Sequence, residues 1–496
     1  SRVGGKNLAS IHFADDGVGV ATTETGMHHL LRCLEAYMAD ARRDFNVCLK
    51  GTVIMCFNVP KKERDKLNFV LSGKRVELVD EFKYLGTVLS NAMSYRGTKV
   101  GHPPTLSQVT NDAIEQRVRA LLGPFYAGVR AHELGVRALR QLITEICSAA
   151  EYGAGVMVRT VWHAFEKRLR DLVRSVLRVP KAQVGVPGEV LLGELGLMSF
   201  EWRALMHTLR VWDATMRRPV GSIPRLAWQE LVDECERRGN PKYTLVARVK
   251  EALAAVGGLA WLDVGLPRDS ATDTGYRWGC SPKELVHVAA SAQWRAACGE
   301  KRSVRGYAAL RTLMLRYQEY LEHPDWQVNL VRWRLRSGFC CVFECEGRRL
   351  RIEREDRLCT CMGCDRPHEV ETVLHMLCVC SAWDSERAQM VASVMSNSKL
   401  SAVLKDRLGA IEDNPDMWLR AMLGGVLFEL GSEYAEPVAV LTKRISSRMW
   451  RFDVSEEDVV RARRALSDRH GLTMIVGRQL KAWYLKRALR SGYSHV

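Results

Sequence analysis

The chain has no uncharged apolar run approaching the roughly 18 residues needed to cross a bilayer; its best stretch is Ala252 to Leu262, so a transmembrane reading is dropped. It has no basic-then-apolar secretory pattern and shows no internal repeat or low-complexity tract. It also lacks a regular disulfide framework: of 15 cysteines, eight lie between Cys340 and Cys380 and the other seven are scattered without even spacing. Clustering of this kind points to a metal site in a reducing compartment. The first residue is Ser1, not Met, and the chain runs almost at once into a strand, so it is expected to be a piece of something longer.

What is present is a basic, core-forming chain. Its 496 residues suffice for roughly three domains, and 47% apolar content argues against wholesale disorder. The balance of 73 basic and 57 acidic residues leaves +16, an electrostatic argument for a polyanionic partner. Nucleic acid fits best, with a membrane surface as rival.

The most informative stretch is Ile11-His12-Phe13-Ala14-Asp15-Asp16-Gly17-Val18-Gly19-Val20. Apolar runs on either side of an Asp-Gly turn predict a β-hairpin with two carboxylates at its tip. Adjacent carboxylates repel and resist desolvation, so a fold that holds them beside apolar strands ordinarily supplies a cation. Taken alone, Asp-Asp-Gly is also an ordinary turn. With its flanks, the stretch resembles the reverse transcriptase of non-LTR (LINE-type) retrotransposons, in which Phe-Ala-Asp-Asp marks the palm hairpin.

The resemblance widens downstream. An amphipathic helix through Met27, Leu30, Leu31, Leu34, Tyr37, Met38, Ala41 and Phe45 follows Thr23 and Thr25, then a β-like run Val53–Phe57. Val76 to Ser90 looks like the family's Phe-x-Tyr-Leu-Gly block, which implies that Tyr84, Leu85 and Gly86 hold the primer end. One departure stands out: the family usually places Lys-Thr before the Val-x-Met-x-Phe strand, whereas this chain has Lys50-Gly51-Thr52. In an extended segment Lys50 points away from the face of residue 51. Either Lys50 protonates the pyrophosphate through a local bend, or that step is impaired.

From about Ala113 to Arg218 the pattern is helical and resembles the family's thumb. Lys167, Arg168, Arg170, Arg174 and Arg178 flank an apolar stripe and are expected to meet template–primer phosphates as a group. In Trp326 to Arg336, Trp333 alternates with arginines, which fits either a stacking and phosphate contact or one face of a buried helix.

Cys361-x2-Cys364-x10-His375-x4-Cys380 supplies three thiolates and an imidazole, a set that suits a closed, structural zinc shell. Cys359, His368 and Cys378 stand close enough to substitute, and Cys340, Cys341 and Cys345 form a second site or none. The pattern is similar to the Cys-Cys-His-Cys motif downstream of the polymerase in many non-LTR elements. A basic tail, Lys481 to Arg490, ends the helix-like remainder.

The expected fold is α+β: a partial polymerase palm of antiparallel strands plus a helix (1–95), a helical thumb (110–220), a helical connecting region (221–338), a small zinc knuckle (339–390) and a basic helical region (391–496). The resemblance implies RNA-directed DNA polymerisation by two Mg2+ ions, with Asp15 and Asp16 as metal ligands, Lys50 in the motif-lysine role, and an RNA template and DNA primer as partners. It implies no membrane association and an intracellular ribonucleoprotein setting, nuclear or cytoplasmic. Two-metal chemistry also needs an aspartate from an earlier palm strand, and only ten residues precede Ile11. The chain alone is therefore expected not to polymerise. The alternative is a non-catalytic nucleic-acid-binding protein that uses the basic helices and the zinc knuckle.

Overall fold

The computed structural model describes residues 2–3, 6–7, 10–13, 16–39, 51–57, 59–84, 87–90, 106–131, 134–152, 160–179, 186–239, 244–263, 265–266, 281–301, 307, 318–338, 340, 345, 347–348, 350–423 and 456–490. These are mostly helical, with few and short strands. The chain gathers into two compact units, each drawn from three stretches: 1–124, 144–169 and 199–289 form the first, and 125–143, 170–198 and 290–496 the second.

The strands form five two-stranded ladders, not one continuous sheet among the described residues. β1 (Arg2–Val3) pairs with β2 (Lys6–Asn7), and β3 (Ser10–Phe13) with β4 (Asp16–Gly19), both antiparallel. Helix α1 (Glu24–Met38) starts on the N-cap Thr23, whose hydroxyl accepts the Gly26 N–H at 3.0 Å. β5 (Val53–Ile54) precedes the short helix α2 (Lys61–Arg64). Next come β6 (Val70–Leu71), β7 (Lys74–Arg75) and β8 (Glu77–Leu78). β6 and β7 form a hairpin, whereas β8 pairs in parallel with β5. Ser72 and Gly73 both have positive φ (51° and 74°), the backbone that a tight two-residue hairpin turn requires. A small core of Leu31, Ile54, Phe69, Leu71 and Val76 unites α1 with these strands. β9 (Glu81–Tyr84) and β10 (Thr87–Ser90) close the strand region as an antiparallel hairpin.

Among the described residues eight α-helices follow up to residue 300: α3 (Leu106–Ala131), α4 (Val136–Glu151), α5 (Thr160–Val176), α6 (Gly188–Leu195), α7 (Phe200–Met216), α8 (Ile223–Arg237), α9 (Leu245–Ala255) and α10 (Pro282–Glu300). In the first unit, the Glu166 carboxylate accepts the Phe200 N–H at 2.6 Å and Ser199 accepts that of Trp202 at 3.4 Å. Negative oxygens thus satisfy the orphan donors at the start of α7. Glu151 at the end of α4 is buried against Arg203 and His207, its Oε2 standing 2.9 Å from His207 Nε2. Burial pushes the Glu151 carboxyl up, but the His207 hydrogen bond and the Arg203 guanidinium outweigh it and hold it below the usual range.

The second unit is built around α11 (Trp326–Ser337), with α12 (Asp384–Met395), α13 (Ala402–Ala410), α14 (Pro415–Met422) and the long α15 (Glu456–Arg490). Helix α15 packs on α11 and α12. Between the two readings of Trp326 to Arg336, the arginines decide for the buried helix: Arg332, Arg334 and Arg336 are all buried. Arg332 donates to the Met422 and Thr473 carbonyls at 2.7 and 3.1 Å, and Arg336 to the Leu423 carbonyl at 2.6 Å. Two guanidinium groups thereby satisfy the C-terminal carbonyls of α14, where positive charge also suits the helix dipole. Arg336 further meets the buried Glu194 carboxylate at 3.2 Å and Gln318 at 3.0 Å. Among the described residues no helix is long and apolar enough to cross a membrane.

Candidate metal centre

The cysteine-rich segment starts at an isolated β-bridge. Leu358 bridges Val370 in antiparallel fashion, and the Cys359 N–H donates to the Glu369 carbonyl at 2.9 Å. The chain then folds tightly, with the Cys364 N–H on the Cys361 carbonyl at 3.2 Å and Gly363 at φ 85°, where only glycine sits without strain. Ser381 ties this turn down through Gly363 and Asp365.

His375 to Val379 form a π-helical turn, and the Cys380 N–H reaches the His375 carbonyl five residues back at 2.7 Å. In a regular α-helix residues five apart stand about 140° apart around the axis. The wider turn brings His375 and Cys380 to one side, which is how the x4 spacing becomes a pair of ligands.

Four ligand atoms then converge: those of Cys359, Cys364, His375 and Cys380 lie within 4.8 Å of one another. Sγ of Cys359 is 3.8 Å from Sγ of Cys380, and Sγ of Cys364 is 3.6 Å from Nε2 of His375. A tetrahedral zinc ion with bonds of about 2.3 Å to sulfur and about 2.0–2.1 Å to nitrogen has S–S edges of about 3.8 Å and S–N edges of about 3.6 Å. The Cys359–Cys380 and Cys364–His375 separations match these edges, and the set as a whole could hold a metal ion such as zinc. The His375 ring faces Glu369 through Nδ1 at 3.1 Å, which leaves Nε2 for the metal and fixes the tautomer, as carboxylates commonly do behind metal-bound histidines.

The spacing places Cys361 in the ligand set, and the structure places Cys359 there instead. Cys361 lies beside the cluster, where its sulfur accepts the Trp383 indole N–H at 3.3 Å. The other three expected ligands are brought together. His368 is exposed and Cys378 half-buried, both outside the converging set. Cys340 and Cys345 stand 3.8 Å apart, and Cys341 lies outside the described residues.

Burial drives the thiols toward their neutral forms: it pushes Cys359 well up and Cys380 up to about 12. A cation reverses that preference, since a metal-bound thiol is deprotonated outright.

The centre is anchored from far along the chain, by residues with no sequence signal of their own. Glu371, fully buried, receives a bidentate pair of hydrogen bonds from Arg487 of α15, each 2.7 Å, while Arg487 also reaches Thr360 at 3.2 Å. Trp383 packs on Trp483 with ring centroids 5.9 Å apart. The basic tail is thus used internally: besides Arg487, Lys481 meets Asp325 at 2.6 Å and Lys486 meets Glu386 at 2.9 Å.

Other expected site residues are placed as follows. Asp15, Lys50, Leu85 and Gly86 lie outside the described residues. The β3–β4 register pairs Phe13 with Asp16 and His12 with Gly17. Gly17 is therefore a strand residue and not part of the turn, and residues 14 and 15 lie between the paired positions. Tyr84 pairs with Thr87 across residues 85 and 86. On α5, Lys167 is exposed and Arg168 is paired with Glu115 at 2.7 Å. Arg170 is exposed, Arg174 half-buried, and Arg178, just past the helix, is stacked on Trp326.

No family model, curated protein or solved structure matches the chain.

Proposed function

We propose that this chain is the C-terminal part of a non-LTR-type reverse transcriptase, a protein that acts on an RNA template primed by DNA. The reading is carried by the order of its parts: an antiparallel hairpin with Asp16 opposite Phe13, a capped helix, a short strand, a second hairpin at Tyr84–Thr87, then helices. The excess of 16 positive charges supports a nucleic-acid partner. In this reading Asp15 and Asp16 hold Mg2+ at the primer end, with Lys50 near the leaving group and Tyr84, Leu85 and Gly86 against the primer. The Cys3His centre takes zinc and acts structurally, because four protein ligands leave no open position for a substrate.

A second reading, a non-catalytic nucleic-acid-binding protein, is favoured by one observation: Gly51 stands where the family usually has its lysine.

Binding of the full chain to a DNA-primed RNA template, followed across a salt series, tests the shared part. The expected result is an affinity that falls linearly with log salt. Fe2+ substituted for Mg2+ then separates the readings. Hydroxyl-radical cleavage confined to the primer terminus, and lost in Asp15→Asn and Asp16→Asn, supports the polymerase site. Binding without such cleavage favours the second reading, and no binding at low salt overturns both.

A further inference from the structure

The arginines of α11 turn inward, but its first residue does not. Trp326 is 43% exposed, and the Arg178 guanidinium lies over its ring at 3.9 Å from the centroid. Both residues line a cavity of about 440 Å3 walled by Val129, Leu139, Leu177 and Leu330. Arg137 lines it too, with a side chain that is 81% exposed and stands 3.8 Å from Glu322.

The backbone beneath Arg178 is unusual. Helix α5 ends with the Val179 N–H on the Arg174 carbonyl at 2.9 Å, and Arg178 takes the left-handed position, φ 51°. Helices ordinarily place glycine there. A bulky side chain held in that conformation marks a position that local folding alone does not favour, and such positions cluster at ligand sites. Here the conformation sets a guanidinium over an indole at the side of a cavity with apolar walls. Planar cation, aromatic plane, apolar walls and an exposed arginine together match the chemistry of a nucleotide: a base that stacks and a phosphate that pairs.

We propose that this cavity seats one unpaired nucleotide, its base stacked against the Arg178–Trp326 pair and its phosphate held by Arg137. The inference rests on the nucleic-acid reading and adds strand selectivity to it. A base inside a duplex is already stacked on both faces and cannot enter, whereas one in a single strand, or in a free nucleotide, can.

The test uses the full chain and fluorescence anisotropy with a short single-stranded oligonucleotide, the same sequence as a duplex, and a free 5′-mononucleotide as competitor. Trp326→Ala is expected to weaken single-strand binding roughly tenfold and leave duplex binding unchanged, with Trp326→Phe restoring most of the loss. Competition by the mononucleotide at concentrations near those of the strand identifies a free nucleotide as the occupant; competition only in large excess identifies the strand. Single-strand affinity unchanged in Trp326→Ala overturns the inference alone, and absence of all nucleic-acid binding overturns it together with the broader reading. Photo-crosslinking of the wild-type chain to a 5-iodouridine oligonucleotide needs no variant to fold. Adducts at Trp326 or Arg178 support the site, and adducts found only elsewhere refute it.

Discussion

Truncating either end of the Glu371–Arg487 pair provides a quantitative test of how the metal centre is held. Both side chains are withdrawn from water, at 0% and 5% exposure, and they meet through two 2.7 Å hydrogen bonds. The Glu371 N–H is already used by the Arg357 carbonyl at 2.9 Å, so the residue also fixes the strand that leads to Cys359. Glu371→Ala removes the carboxylate that the buried Arg487 charge meets through two hydrogen bonds. Leaving one member of a buried ion pair unmatched costs about 3–5 kcal/mol. At roughly 2–4 °C per kcal/mol for a unit of this size, the melting temperature should drop on the order of 10 °C. Glu371→Leu combined with Arg487→Met removes both charges and should recover most of that loss, because a buried pair exchanged for apolar groups of similar volume is often neutral. Thermal melts of the singles and the double, with zinc release followed by a chromophoric chelator, supply the cycle. If each single variant costs less than about 1 kcal/mol, the pair is not the anchor described.

Three further outcomes follow from the same geometry. The Cys359 and Cys380 thiols, raised by burial, are protonated in the metal-free chain near neutral pH and must lose those protons to zinc. Apparent zinc affinity should therefore rise with pH, about hundredfold per unit for these two protons, and a competition titration showing a flat profile from pH 6 to 8 would count against both as ligands. Glu369→Ala, which takes the carboxylate from behind the His375 ring, should weaken zinc binding about 10–100-fold while leaving the ligand set intact; equilibrium dialysis checks this. In the first unit, Glu151 is held below its usual pKa of 4.5. A depressed carboxyl contributes stability that is fully present above its unfolded value and lost as pH falls through the folded one. Glu151→Gln should thus lower stability at pH 7 and flatten its decline below about pH 4.5, as acid titrations followed by circular dichroism would register.

Much of this was legible in the sequence where the signal is local. A hairpin near Asp16, although with Gly17 in the strand and not in the turn, and three of the four residues of the Cys/His cluster follow from spacing within a few residues. The ligand that differed shows the limit of such reasoning. Cys359 and Cys361 are only two residues apart, so spacing cannot rank them; in the fold the Cys359 N–H is bound to Glu369 and the Trp383 indole engages Cys361. Charge was the least transparent property. The arginines of α11 fit a phosphate contact as well as a buried face from sequence, and the partners of Arg332, Arg336 and Arg487, namely Met422, Leu423, Glu194 and Glu371, lie some 90 to 140 residues away along the chain. Composition reports how many cations there are, and only the tertiary packing determines which of them face water.

The most direct test of the metal centre is zinc content per chain in the wild type, Cys359→Ser and Cys361→Ser, with X-ray absorption on the loaded wild type. One zinc per chain, a first shell of three sulfurs and one nitrogen, loss of tight binding in Cys359→Ser and its retention in Cys361→Ser is the predicted result. Retention in Cys359→Ser with loss in Cys361→Ser would restore the ligand set expected from spacing, and a zinc-free, fully stable wild type would contradict the centre itself.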